Sequence, residues 1–172
     1  SASNGGIMTF NGAGSVSIAG FTSLTNNFTV ECWYSSTNNH PALFHAGTIG
    51  SSGFMMGYYS GASPANSWKA TKYGVYDIYI GSIPQNTAWH QVTYTYSSTA
   101  GVAVYVDGAQ TGSTYVGTRY TNDLSASTSN TIGNAESGNH TGNIGSFRMW
   151  NSVLTSAQVL QNYNAVKSKY GL

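Results

Sequence analysis

Ionisable side chains are scarce in this sequence. Asp, Glu, Lys and Arg together make up 6% of its 172 residues, whereas they make up about 25% of an ordinary soluble domain. The six basic residues are scattered along the chain, so they offer no continuous stripe for a phosphate backbone. We therefore expect no nucleic-acid partner.

Cysteine and long apolar runs are also lacking. Cys32 is the single cysteine, so the chain can form neither an internal disulfide nor a cysteine-based zinc site. Its apolar neighbours Val30 and Trp33 favour a buried, unreactive thiol. No apolar run approaches the roughly 18 residues of a membrane-spanning helix, and we expect no membrane insertion.

Neutral polar and aromatic side chains take the place of charge. The chain contains 24 serine, 19 threonine and 16 asparagine residues, together about a third of its length, beside 13 tyrosines, 6 phenylalanines and 4 tryptophans. The aromatic residues can supply a core, which argues against disorder. The length fits one domain. We expect residues 1–172 to form a single domain that is one module of a larger protein.

Short runs of alternating apolar residues recur along most of the chain. They are rich in Val, Ile, Thr and Tyr, and clusters of Gly, Asn and Ser separate them, which is the pattern of antiparallel strands. The clearest runs are residues 15–18, 28–34, 42–45, 54–59, 74–80, 89–96, 102–107, 130–132 and 144–150. Nine strands predict an all-β protein with two sheets.

Three segments predict finer features. Within residues 28–34 the even positions form an apolar face, as in a half-buried strand. Asp107-Gly108 tolerates the positive φ angles of a tight hairpin turn and predicts a return strand through residues 109–112. In residues 144–150 the apolar side chains do not all fall on one face of the strand, which predicts a β-bulge or a strand start after Gly145.

The C-terminal segment is the one predicted helix. Thr155 and Gln158 have the spacing of a capping box, in which each side chain satisfies the other's free amide. Apolar residues then recur at helical spacing, at Val159, Tyr163, Val166 and Tyr170. We expect a short amphipathic helix packed against the sandwich.

Residues 86–96, followed by residues 102–108, resemble the central signature of laminin G-like domains, which belong to the concanavalin A-like lectin and glucanase superfamily. The resemblance covers residues 10–165 and implies a jelly-roll sandwich of two curved antiparallel sheets. Residues 161–167 are similar to the tails of laminin G-like domains in phage and other viral structural proteins. Further motifs occur in the family's order at residues 27–34, 131–133, 142–151 and 154–157.

The acidic residues argue against catalysis. A glycoside hydrolase needs two carboxylates that face one sugar bond. The five acids are dispersed, with no two within ten residues of each other: Glu31, Asp77, Asp107, Asp123 and Glu136. The glucanases of the superfamily carry a tight acidic cluster on one strand, which this sequence lacks. We therefore expect no enzymatic activity.

Metal binding is the second class of site to consider. The four histidines show no close pairing of the kind that zinc sites use. Calcium accepts carbonyl oxygens together with one or two carboxylates, and some laminin G-like domains bind it at the sandwich rim. No cofactor is required by the sequence, and calcium stays an open alternative with Glu136 or Asp107 as its carboxylate.

Aromatic residues and amides predict a sugar site. Flat aromatic faces stack on pyranose C–H surfaces, and neutral polar groups bind the hydroxyls. Trp68 lies outside any alternating run, so we expect it either to be exposed or to cover a loop. The predicted carbohydrate-binding residues are Tyr58, Tyr59, Trp68, Tyr73, Asn134, Glu136, Asn139 and His140.

The favoured function is a non-catalytic, lectin-like module that binds a glycan or glycosylated surface. We expect it outside the cell or on a virion surface, where it would attach to host glycans. The alternative is a structural or protein-interaction domain that decorates a larger assembly, contacts other structural subunits and binds no sugar. Fold alone does not choose between these functions.

Overall fold

The computed structural model describes residues 6–19, 27–48, 52–72, 76–115, 129–136 and 138–172. Across these residues two antiparallel sheets of six strands each enclose one core. A small two-stranded ribbon and one C-terminal helix complete the described part. The predicted all-β, two-sheet sandwich with a short C-terminal helix is confirmed.

The strands are numbered in chain order. The first sheet consists, in spatial order, of β1 (Met8–Asn11), β14 (Thr141–Trp150), β3 (Phe28–Ser36), β8 (His90–Ser97), β9 (Gly101–Val106) and β10 (Ala109–Tyr115). The second consists of β2 (Val16–Ile18), β11 (Asn130–Ile132), β4 (Ala42–Thr48), β5 (Ser52–Tyr58), β6 (Trp68–Lys72) and β7 (Tyr76–Ile80). The ribbon pairs β12 (Asn134–Ala135) with β13 (Gly138–Asn139).

All nine predicted runs contain strands, and the hairpin after β9 is confirmed. Asp107 and Gly108 have φ angles of 51° and 80°, which is the left-handed pair that a two-residue hairpin turn requires. The return strand β10 follows directly. Strands β1 and β6 and the ribbon were not predicted from the sequence.

Aromatic rings from the two sheets interlock in the core. Phe28 of the first sheet stacks on Tyr96 with 4.7 Å between ring centroids, and Phe54 of the second sheet meets Tyr96 edge-on at 5.0 Å. Edge-to-face and stacked pairs add to the gain from apolar burial. Cys32 is completely buried among these residues, as predicted, and burial raises the pKa of its thiol well above the ordinary value.

The predicted helix α1 spans Ser156–Val166 and begins with the predicted capping box. The Gln158 amide donates to Thr155 Oγ1 over 3.3 Å, and the Thr155 amide donates to Gln158 Oε1 over 2.9 Å. A 3-10 helical turn, Lys167–Tyr170, continues the chain. No helix in the described ranges has the length and apolar character to cross a bilayer.

Helix α1 and the turn after it cover part of the outer face of the first sheet. Trp33 points away from the core, yet it is fully buried. Its ring stacks on Tyr163 at 5.6 Å and on Tyr170 at 4.5 Å between centroids. Glu31 lies beside it under the helix, where burial raises the pKa of its carboxyl although Arg148 opposes the shift.

The predicted bulge lies in β14. The pairing of β14 with β3 shifts register between Ile144 and Phe147, which frees the Ser146 amide from the ladder. That amide donates to the Tyr170 hydroxyl over 2.9 Å. A Cβ on Gly145 would lie 2.1 Å from the same hydroxyl, so glycine is required for this close approach.

Tyr170→Phe removes the partner of the bulge amide and keeps the ring. We expect the free energy of unfolding to fall by about 1 to 3 kcal/mol, because an amide in a nearly dry site loses its acceptor. Urea denaturation measures the change. Tyr163→Phe, which retains a ring stacked on Trp33, is the matched control and should cost less. Equal losses in the two variants would contradict this role for the Tyr170 hydroxyl.

Candidate functional site

The outer face of the second sheet carries a group of polar side chains. In β6, Trp68 and Ala70 belong to the core, so the alternation of a strand directs Lys69 and Thr71 to the opposite face. Pairing with β7 then places Tyr79 opposite Lys69. The alternation of β6 and its pairing with β7 therefore place polar side chains on the outer face of the second sheet.

Lys69 is the centre of this surface, although its side chain is only 1% exposed. Its ammonium nitrogen lies 3.2 Å from Asp77 Oδ2, contacts Glu136 Oε2 and sits 4.0 Å from the centroid of the Tyr59 ring. Tyr79 stacks on Tyr59 with 6.3 Å between centroids. We call these five residues the lysine cluster.

Two carboxylates hold one buried ammonium in the lysine cluster. Burial by itself lowers the pKa of Lys69, but the hydrogen bonds and charges of Glu136 and Asp77 outweigh it and raise that pKa above its usual value. The Asp77 side chain is 47% exposed and that of Glu136 25% exposed. The cluster thus carries a formal charge of −1 and presents that charge as carboxylate oxygens.

A cleft of about 210 Å³ opens beside the lysine cluster. His40 and Tyr58 stack there with 4.0 Å between ring centroids and 13° between ring planes. Asn38 accepts a hydrogen bond from the His40 amide over 3.1 Å, which fixes the loop before β4. The cleft, called the rim cleft below, is lined by Asn38, His40, Ala42, Tyr58, Ser60 and Asn139.

The ribbon joins the rim cleft to the lysine cluster. Asn139 of β13 lines the cleft, and Glu136, from the turn between β12 and β13, binds Lys69. The Asn134 side-chain amide donates to Asn139 Oδ1 over 2.8 Å and holds the two strands together. Ala42 lines the cleft and belongs, with Met55 and Ala135, to a small buried cluster against which Tyr59 packs. The two features therefore form one continuous surface.

The structure places most of the predicted binding residues on this surface. Tyr58 and Asn139 line the rim cleft, Tyr59 and Glu136 belong to the lysine cluster, and Asn134 supports the ribbon. Tyr73 lies outside the described residues. The cleft residues Asn38, His40 and Ser60 were not among the predicted binding residues, nor were the cluster residues Lys69, Asp77 and Tyr79.

The expectation that Trp68 is exposed is wrong. Its side chain is 0% exposed, and its ring meets Tyr34 edge-on at 5.7 Å and Tyr94 at 6.3 Å between centroids. The cause is β6, which the sequence analysis overlooked: its first residue begins an alternating run whose inward face is Trp68 and Ala70. Trp68 cannot stack on a sugar at the surface.

His140 was also predicted to bind the ligand, but it is completely buried. Its Nε2 atom donates to the Ser35 carbonyl over 3.0 Å, and its ring meets Phe10 edge-on at 5.9 Å between centroids. These contacts tie the end of the ribbon to β3 and β1. His140 therefore supports the site from beneath and makes no surface contact.

The two carboxylates singled out for calcium have protein partners in this structure. Asp107 accepts hydrogen bonds from the Gln91 amide over 2.9 Å and from His90 Nδ1 over 2.7 Å, while Glu136 binds Lys69. Within the described part of the chain no three His, Cys, Asp or Glu side chains converge on a point that could hold a metal ion. Calcium binding stays a prediction that these data do not test.

A laminin G family model, described as the concanavalin A-like lectin/glucanases superfamily, matches residues 10–160. The chain belongs to this superfamily. The family resemblance inferred from the sequence is therefore confirmed, whereas its viral structural subtype is not tested. A comparison with curated protein sequences finds no match.

Solved structures share the concanavalin A-like fold at low sequence identity. Domain 4 of AbnA, an extracellular arabinanase from Geobacillus stearothermophilus solved with arabinotriose, is 19% identical with a TM-score of 0.64, over 89% of this chain and 74% of that one. A heptameric pentraxin from Limulus polyphemus is 17% identical with a TM-score of 0.65, over 93% and 82%. The binding domain of botulinum neurotoxin DC, solved with rat synaptotagmin II, is 15% identical with a TM-score of 0.61, over 82% and 36%.

Trp68→Ala should lower the free energy of unfolding by about 3 to 5 kcal/mol, because it leaves a cavity in the aromatic core. Chemical denaturation measures the loss. Trp68→Phe, which keeps a ring in the core, should cost clearly less. A loss below about 1 kcal/mol for the alanine variant would mean that Trp68 is not a core residue.

Buried histidines predict that acid destabilises the fold. Burial lowers the pKa values of His45 and His140 below the ordinary 6.5, although Glu136 and the Ser35 carbonyl respectively oppose the shift. The unfolded chain binds protons near pH 6.5, whereas the folded chain binds them only at lower pH. Stability is therefore complete above about pH 6.5 and falls below it, by up to about 1.4 kcal/mol per pH unit for each histidine.

Urea denaturation between pH 7.5 and pH 5 tests this dependence. The buried Glu31, whose raised pKa acts in the opposite direction, is common to wild type and His140→Gln, so the difference between their slopes isolates His140. We expect the variant to have the shallower slope. Parallel slopes would show that His140 does not titrate in this range.

Proposed function

We propose that the chain is a carbohydrate-binding module and that its ligand occupies the rim cleft. The observation that carries this proposal is the stacked pair of His40 and Tyr58 in an open cleft lined by amides and a hydroxyl group. An aromatic face packs against the C–H surface of a sugar ring. Asn38, Asn139 and Ser60 can donate and accept hydrogen bonds with its hydroxyls.

Membership of the lectin and glucanase superfamily supports sugar binding, and so does the arabinanase domain of similar fold that was solved with arabinotriose. The location of the cleft adds further support. Helix α1 packs on the Trp33 side of the first sheet's outer face, whereas the lysine cluster lies on the second sheet and the rim cleft at its edge. Two chain segments that extend from this sheet, the loop before β4 and the ribbon, contribute cleft residues.

The module is proposed to bind without cleaving bonds. Asp77 and Glu136 meet at Lys69, a pairing that their separation in the sequence hides. A glycosidase needs one carboxyl group that holds a proton for the leaving group. Here both carboxylates instead contact the same buried ammonium, so this pair is suited to accepting hydrogen bonds.

Attachment to host glycans from a virion or cell surface is the finer proposal that the sequence suggested, and it is carried forward as a proposal. The alternative is a protein-interaction or structural domain. The neurotoxin binding domain of similar fold was solved with a protein, synaptotagmin II. A glycan array and a pull-down with the same purified domain separate the two functions.

Tyr58→Leu keeps apolar volume at the cleft but removes the flat ring, and His40→Ala removes its stacking partner. On the best glycan found by array, each variant should lose about 1 to 3 kcal/mol of binding free energy, the range of a well-packed aromatic contact. Isothermal titration calorimetry measures the loss.

Tyr115→Ala is the matched control, because Tyr115 is another tyrosine, 44% exposed, on β10 and outside the rim cleft. It should bind as the wild type does. Melting temperatures of all three variants report whether the fold is intact. A folded domain that binds no glycan on the array, or cleft variants that bind as tightly as the control, would refute the proposal.

A further inference from the structure

We infer that the ligand of this surface is a neutral glycan of at least two sugar units, with one unit in the rim cleft and the next against the lysine cluster. The inference rests on the proposed function and extends it to the class of ligand. It follows from the continuity of the cleft with the lysine cluster and from the charge that the cluster presents.

The continuity of the rim cleft with the lysine cluster indicates that the ligand spans more than one sugar unit. Glu136 and Asn139 belong to the same ribbon, and Ala42, which lines the cleft, belongs to the small buried cluster against which Tyr59 packs. A sugar held in the rim cleft near Asn139 can therefore place its neighbour near Tyr59 and Glu136. Tyr59 is partly exposed, so its ring offers apolar surface for that second unit.

The carboxylates of Asp77 and Glu136 keep free acceptor positions. An ionised carboxylate offers about four lone-pair sites. Among the contacts described, Lys69 takes one site on each residue, and Thr71 donates to Asp77 Oδ1. Both side chains are partly exposed, so the remaining sites can accept hydrogen bonds from sugar hydroxyls.

The buried ammonium holds these acceptors in place. Lys69 is enclosed, with Tyr59 over its ammonium, and an uncompensated buried charge is strongly unfavourable. The two carboxylates therefore stay oriented around it. Acceptors that are positioned before the ligand arrives lose little freedom on binding.

The same charge selects against anionic sugars. The lysine cluster has a formal charge of −1, and its one cation is 1% exposed. The other lysine and arginine side chains that the structure describes lie elsewhere: Arg148 is beside Glu31 of the first sheet, and Lys167 and Lys169 are in the C-terminal turn. A sialic acid, uronic acid or sulfate at the second position would meet carboxylates of like charge, which is unfavourable.

Matched glycans on one array test the inference, together with Asp77→Asn. Each neutral di- or trisaccharide is compared with its sialylated or sulfated counterpart at pH 8 and low salt, where charge effects are least screened. We expect the wild type to prefer the neutral member by about fivefold or more. Asp77→Asn removes one negative charge and leaves Glu136 to pair with Lys69, so the preference should shrink by about three- to fivefold.

Glycans of different length and a control variant distinguish the possible outcomes of this experiment. A monosaccharide, which fills only the rim cleft, should bind more weakly than the matched neutral disaccharide, and Tyr115→Ala should leave the neutral preference unchanged. Equal or tighter binding of anionic glycans, or an unaltered preference in Asp77→Asn, would overturn the inference while sugar binding stands. If no glycan of either kind binds the folded wild type, the inference and the proposed function both fail.

Discussion

Interlocked aromatic packing between the two sheets is the interaction on which the rest of this molecule depends. With charge at 6% of residues, few ion pairs are available, and many surface pairs contribute little stability. Rings such as Phe28, Phe54 and Tyr96 instead meet in stacked and edge-on pairs across the sandwich. Every strand that supplies a ring to this core must send its intervening residues outward, so the core determines which side chains reach each surface.

The two outer faces are used differently. On the first sheet, Trp33 faces outward and is covered by Tyr163 and Tyr170, so the protein's own helix covers this part of the face. On the second sheet, the outward positions of β6 and β7 assemble Lys69, Asp77 and Tyr79. No helix covers this described polar group, which leaves it and the adjoining cleft open to recognition.

Much of the fold could be predicted because local signals coincided with global structure. Asp107-Gly108 is a turn pair, Thr155 and Gln158 have capping-box spacing, and uneven parity indicated the bulge after Gly145. Each of these signals is local, and tertiary packing reinforces it. The tyrosines and asparagines of the site were visible for the same reason, since their chemistry is evident from residue type.

The remaining site residues depend on contacts that are distant in sequence. Glu136 meets Lys69 and Asp77 only because β6, β7 and the ribbon converge, and spacing along the chain gives no sign of it. His40 becomes an aromatic partner only when β4 and β5 bring it onto Tyr58. The error at Trp68 was avoidable, because Trp68, Lys69, Ala70 and Thr71 alternate as a strand should.

Strand β6 also has a consequence for how this surface can change. Trp68 and Lys69 are consecutive, one inside the core and the other at the centre of the polar face. A substitution at either position therefore affects both the core and the polar face. The ribbon is different, because the side chains of Asn134 and Asn139 are partly exposed and lie outside the core. New specificities are therefore most accessible to evolution or to engineering through these two positions, with β6 and Glu136 kept constant.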